Sequence, residues 1–156
     1  MRSARLDVFE RAEQKADSWL TALMDDLEWD NRHQAYEALG VVLHVLRDRL
    51  PIQHAVDLGA QLPLLIRGLY YQNWDVSGAP ERYRHVEEFL GRVQKCLGDH
   101  RMEYVAEGHV VDAVIRLLAD RLSEGELESV QRSLPAELRI LFQPSGRGDD
   151  GIRGAL

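Results

Sequence analysis

Two stretches decide how this chain folds. Residues 41–71 read VVLHVLRDRLPIQHAVDLGAQLPLLIRGLYY, and residues 113–143 read AVIRLLADRLSEGELESVQRSLPAELRILFQ. They align without a gap at an offset of 72. The identities are Val42/Val114, Leu46/Leu118, Asp48/Asp120, Arg49/Arg121, Leu50/Leu122, Leu62/Leu134, Pro63/Pro135, Arg67/Arg139 and Leu69/Leu141. Most other pairs are apolar for apolar, such as Leu43/Ile115 and Tyr70/Phe142. Upstream, SWLTALMDDL (18–27) matches EFLGRVQKCL (88–97) once two residues are gapped. A repeat of this period describes a chain built from two copies of one supersecondary unit.

Each unit reads as helices. Residues 8–27 carry apolar or aromatic side chains at 8, 9, 12, 16, 19, 20, 23, 24 and 27, the spacing of one helical face. Ala35, Ala38, Leu39, Val42, Leu43, Val45, Leu46 and Leu50 form a wider stripe on a second helix. Pro51 then resets the chain and suits the first position of a new helix. In the second copy Ser123 stands there, with Glu126 three residues on, a capping-box pattern. The short helix that follows must end at Leu62-Pro63 and Leu134-Pro135, because proline lacks an N–H and restricts the residue before it. A last short helix carries residues 67–71 in one copy and 139–142 in the other.

The expected fold is therefore all-α, a helical bundle from an internal duplication with about three to four helices per unit. Residues 1–143 form the expected single domain, with repeats at 12–72 and 82–143. NWDVSGAPE (73–81) reads as the linker, and 144–156, without apolar periodicity, as a flexible tail. A unit of roughly 60–70 residues is small to hold a core alone, so the copies are expected to share one interior about a pseudo-twofold axis.

Composition agrees. The chain has 156 residues, 45% hydrophobic and 29% charged, in the range of soluble globular proteins. One cysteine excludes a disulfide framework or a cysteine-rich zinc site. A net charge of −7, spread evenly over the two halves, opposes nucleic-acid binding. The first residues lack a signal-peptide core, and no stretch approaches membrane-spanning length. Cys96 accords with a reducing cytoplasm, and only Lys15 and Lys95 interrupt an arginine bias typical of a GC-rich bacterial genome.

At the segments AQLPLLIRGLYY…W and DRLSEGELESVQRSLPAELRILF the chain resembles DUF2267, a bacterial and archaeal domain of unknown function. The resemblance covers roughly residues 12–143. Its most distinctive block is 67–71 with Trp74, and residues 122–138 resemble its second half. The chain departs at Pro51-Ile52-Gln53-His54, which replaces a Gly-Glu pair, and at Leu64, where the second copy has Ala136. The resemblance supports the helical fold and implies no activity, cofactor or catalytic residue.

Asp48-Arg49 with Arg67, and Asp120-Arg121 with Arg139, recur at equal spacing. They read as structural staples, in which the Asp and the later Arg form an ion pair or bond exposed helix-end groups. Two quasi-equivalent anion sites are the competing reading. Tyr70, Tyr71 and Trp74, beside Arg67, occur only in the first copy, where the second has Phe142 and Gln143. That asymmetry makes Arg67, Tyr70, Tyr71 and Trp74 the candidate binding residues, since these types are enriched at binding hot spots. The plainer reading puts Tyr70 and Trp74 in the seam with Tyr71 pointing outward. His44, inside an apolar stretch, joins the candidates as a hydrogen-bonded boundary residue.

The remaining histidines, 33, 54, 85, 100 and 109, form no metal motif. His33 and Glu37 share a helix face, and Glu107-Gly108-His109 opens another helix, but neither is HExxH. Cys96, Ser18, Ser77, Ser123, Ser129 and Ser133 lie in no nucleophile elbow. Gly146 to Gly154 is not a phosphate loop, and Arg147-Gly148-Asp149 is an accidental triplet. No catalytic residue, metal or cofactor is assigned. The preferred reading is a non-enzymatic helical interaction or oligomerisation module that binds itself, as a homodimer, or a protein partner. The alternative is a small-molecule or metal-binding enzyme with a site between the repeats near Arg67, Tyr70, Trp74 and His44.

Overall fold

In the computed structural model, residues 6–143 are described. The expected tail 144–156, with its Arg-Gly-Asp triplet, lies outside them. Seven α-helices and a closing 3-10 helix account for most of the rest, and no strand occurs among the described residues. α1 spans Asp7–Leu27, α2 Arg32–Arg49, α3 Ile52–Gln61 and α4 Leu64–Tyr71. After a linker come α5 (Val86–Asp99), α6 (Glu107–Arg121), α7 (Glu124–Ser133) and the 3-10 helix Ala136–Phe142.

Local chemistry sets these boundaries. Asn31 caps α2 by accepting from the Gln34 N–H at 3.0 Å, and Ser123 caps α7 by accepting from Glu126 at 3.1 Å. Pro51, Pro63 and Pro135 each stand with extended backbone just before a helix, one place earlier than the first-turn position expected of Pro51. The last element of the second half is a 3-10 rather than an α-helix.

Trp19, Leu20, Leu23 and Leu27 of α1 and Phe89, Val93 and Leu97 of α5 are buried, so the residues that the sequence alignment pairs as Trp19/Phe89, Leu23/Val93 and Leu27/Leu97 are all interior. α2 and α6 lie at the centre: Leu39, Val42, Leu43, Leu46, Val110, Val114 and Leu118 are almost fully enclosed. α1 packs on α6, α5 on α2, α2 on α6 and α3 on α7, and one core draws residues from both halves. The apolar stripe expected along all of α1 is buried only from Trp19 onward. Val8 and Phe9 are exposed, because α1 outruns the helices that cover its far end. Among the described residues no helix is long and apolar enough to cross a membrane.

Polar clasps tie the halves. Arg116 grips Asp26 through two bonds of 2.9 and 3.0 Å. Arg121 donates to Ser18 Oγ at 3.1 Å with its guanidinium 5.9 Å from the Trp19 ring. Glu37 on α2 accepts from His33 at 2.6 Å and from His100, just past α5, at 2.5 Å.

Candidate functional site

Pro63 ends α3 and lets α4 fold back across it. That turn interrupts the ordinary ladder at the end of α3, where Gly59 O keeps a bond from the Leu62 N–H at 3.1 Å. Arg67, one turn into α4, supplies donors: its Nε bonds Gly59 O at 3.0 Å and its Nη2 bonds Leu62 O at 3.0 Å. Arg139 does the same in the second half, to Leu134 O and Arg132 O, both at 3.2 Å. Only the later arginine of each expected staple bonds helix-end groups. The pairing of Asp48 with Arg67 and of Asp120 with Arg139 is absent: Asp48 takes Arg47 at 2.9 Å, and Asp120 takes Arg121 at 3.2 Å. Arg49 also forms no pair with these acids; its Nε donates to Tyr83 O at 2.7 Å. The reason is local. Helix-end carbonyls lie within reach of each later arginine, whereas both aspartates keep water on one side.

The aromatic block divides by residue. Tyr70 is fully buried and its hydroxyl donates to Ala55 O at 2.7 Å, with burial raising its pKa far above the usual phenol range. Tyr71 does not point outward as expected. Its ring meets Tyr70 edge-on at 5.0 Å, stacks on Trp74 at 5.5 Å, and its hydroxyl reaches Val56 O at 3.3 Å. Gly59 makes this possible, since a Cβ there would stand 2.2 Å from the Tyr71 hydroxyl oxygen. Trp74 is half-buried, and its enclosed indole N–H has no hydrogen-bond partner among the described residues.

His44 donates from Nε2 to Leu69 O at 2.6 Å, which binds α4 to α2. Burial lowers its pKa, and the bond to the carbonyl opposes that shift.

Sequence reasoning missed Arg47. Only 3% of its side chain is exposed, yet Nη1 bonds Tyr70 O at 2.7 Å and Gln72 O at 2.9 Å, and the guanidinium lies 5.8 Å from the Trp74 ring. Its signal was an arginine at a place where the second half has Ala119. Tyr83 was missed too. The guanidinium groups of Arg49 and Arg92 lie 5.6 and 4.5 Å from its ring, and its enclosed hydroxyl has no partner among the described residues. No spacing in the sequence marks it.

A cavity of about 250 Å³ opens beside Tyr83, between α2 and α5, with walls of Val45, Asp48, Glu81, Arg92, Lys95 and Asp99. Arg67, Tyr70, Tyr71, Trp74 and His44 are not among its lining residues. Among the described residues no three His, Cys, Asp or Glu side chains are grouped to hold a metal ion.

The family model of an uncharacterized conserved protein, DUF2267, matches residues 16–141. The chain belongs to that family. No curated protein matches it.

Proposed function

We propose that this DUF2267 chain is a non-enzymatic helical interaction module that self-associates, as a homodimer, or binds a protein partner. One observation carries the reading. Arg67, Tyr70 and His44 all direct their polar atoms to main-chain carbonyls of their own fold, so they brace the structure rather than face a substrate. The same short helix leaves apolar side chains accessible: Leu64 and Leu65 on α4 are 55% and 46% exposed.

The reading includes descent from one duplicated cassette, with residues 1–143 as one unit. α3 and α7 share boundaries at the offset of 72, and the packing of α1 on α6 is matched by α5 on α2. A bacterial, cytoplasmic setting belongs to the same reading, on the arginine bias and Cys96.

Sedimentation velocity over a wide concentration range tests the homodimer. Concentration-dependent association that Leu64→Glu/Leu65→Glu weakens is expected. A strict monomer at the highest concentration removes self-association. The enzyme alternative stands second, because three of the residues it was built on, Arg67, Tyr70 and His44, are engaged with the backbone. Turnover lost on substituting Arg67→Lys, with the fold intact, would reverse that order.

A further inference from the structure

Arg49 is a buried charge that the fold leaves half matched. It ends α2 and is only 9% exposed. Its Nε donates to Tyr83 O at 2.7 Å and its guanidinium lies 5.6 Å from the Tyr83 ring. Neither Nη group has a partner among the described residues. Neither is shut away from water, for the enclosed side-chain polar atoms without partners are Trp74 Nε1 and the Tyr83 hydroxyl. Arg121, its counterpart at the offset of 72, is fully engaged. Its Nε meets Asp120 at 3.2 Å, and its Nη1 and Nη2 meet Ser18 Oγ and Ser18 O at 3.1 and 3.4 Å. In the first half Asp48 is taken by Arg47 and Glu81 by Arg92, so Arg49 has no carboxylate. A guanidinium withdrawn from water without a counter-charge is unfavourable, and an anion relieves it.

Arg49 lines a cleft of about 600 Å³ with Pro51 of the α2–α3 turn, Arg84 and His85 ahead of α5, and residues 133–137 between α7 and the 3-10 helix. Arg84 is exposed and has no bond or ion pair among the described residues. Burial lowers the pKa of Arg49, and the neighbouring charge of Arg84 lowers it too. Glu137 is the one carboxylate of the lining, and both its oxygens are occupied, by His85 Nδ1 and the Val86 N–H. Two guanidinium groups thus share the cleft without a counter-ion, in a chain whose net charge is −7.

These properties select the class of molecule. A guanidinium fork matches carboxylate and phosphate alike. Two unbalanced cations favour phosphate, because a monoester carries about 1.5 to 2 negative charges at neutral pH and a carboxylate carries one. The volume is that of a small-molecule site, and Pro51, Leu134 and Pro135 give it an apolar side. We propose that this cleft binds a phosphate monoester of a small organic molecule, its phosphate held by the Arg49 Nη groups and Arg84 and its organic part laid against Pro51, Leu134 and Pro135. The site uses none of the residues on which the interaction-module reading rests, so the two stand or fall separately.

The experiment is calorimetry and amide NMR on the full chain, with phenyl phosphate, inorganic phosphate and benzoate as probes. Phenyl phosphate should bind saturably and about tenfold tighter than either other probe, with shifts centred on residues 84–85 and 133–137. Arg84→Gln should weaken it about tenfold, whereas Arg11→Gln on α1, outside the cleft, should leave it unchanged. Arg49→Lys keeps the charge but loses the fork, and should weaken it at least as much. Absence of saturable phenyl phosphate binding overturns the proposal. So does benzoate or inorganic phosphate binding as tightly, or an affinity that Arg84→Gln leaves intact. Should Arg49→Lys perturb folding, Arg84→Gln decides the outcome alone, since Arg84 is exposed and holds nothing in the fold.

Discussion

α4 and the 3-10 helix Ala136–Phe142 close their halves at equivalent places but do different work. Both carry an arginine that covers the carbonyls of the helix before it. Beyond that they diverge. Leu65 stands at the position of Glu137, and Glu137 accepts from His85 Nδ1 at 3.0 Å and from the Val86 N–H at 2.9 Å, capping α5 where it begins. Leu65 can cap nothing, and α1 runs on. In the register that matches Trp19 with Phe89, Val86 corresponds to Ala16, yet α1 starts at Asp7. One side-chain type thus accompanies a short, capped helix in one half and a long, uncapped one with exposed leucines in the other.

A second difference follows the chain's path. At the end of α4 the Tyr70 carbonyl is buried and the Gln72 carbonyl part-buried, and Arg47 donates to both. The matching position, Ala119, is exposed and has no such task. Gly59 and Tyr71 likewise form a pair whose second-half counterparts, Gln131 and Gln143, have no ring to seat. What the halves share is the turn-back arginine; what separates them is the burial of the first half's end.

The sharpest way to break this comparison is Arg47→Met. It removes charged donors from one buried and one part-buried carbonyl and should lower unfolding free energy by about 3 kcal/mol in urea titration. Ala119→Met should change it by less than about 0.5 kcal/mol. Equal effects would mean that the burial of the first half's end is unimportant.

Next come the shared arginines. Arg67→Ala should cost about 1.5 kcal/mol and Arg139→Ala about 1 kcal/mol, as Arg67 makes the closer contacts. Thermal unfolding with either variant unaffected would take the cap role from that half.

Gly59→Ala sharpens the pairing with Tyr71. Alone it should dislodge the ring and alter the fluorescence of Trp74, which stacks on it. In a Tyr71→Ala background the same change should stabilise by about 1 kcal/mol, the ordinary helix preference for Ala over Gly. A stabilising single variant with unchanged fluorescence would dissociate the two positions.

The smallest effect is in the second half alone. The bond to Glu137 raises the pKa of His85 above its ordinary 6.5, and that same bond lowers Glu137 below its ordinary 4.5. A raised histidine stabilises fully below its unfolded value and loses this as pH rises through the folded one. A lowered carboxyl stabilises above its unfolded value and loses this as pH falls through the folded one. Both contributions are therefore present between 4.5 and 6.5. His85→Ala should depress Tm slightly in that window and less in alkaline buffer; a pH-independent loss would point to packing instead.

The aromatic residues illustrate how far the sequence could be read as a site. Tyr70 in the interior was legible from its apolar counterpart Phe142, since a shared stripe predicts shared burial. Tyr71 was not, because its place depends on a missing side chain at residue 59 on another helix. Tyr83 lies in the non-helical stretch just before α5, where no periodicity exists to report which face a residue takes.

The sequence by itself determined the helices, their breaks at Pro63 and Pro135 and most of the buried stripe. Those follow from hydrophobic spacing and backbone chemistry within a few residues. Tertiary structure alone decided that Arg67 would cover carbonyls instead of meeting Asp48, that Arg47 would be enclosed, and that Tyr83 would border a charged cavity. A polar side chain takes whichever unsatisfied group packing brings within reach, and that choice is made between elements distant in the chain.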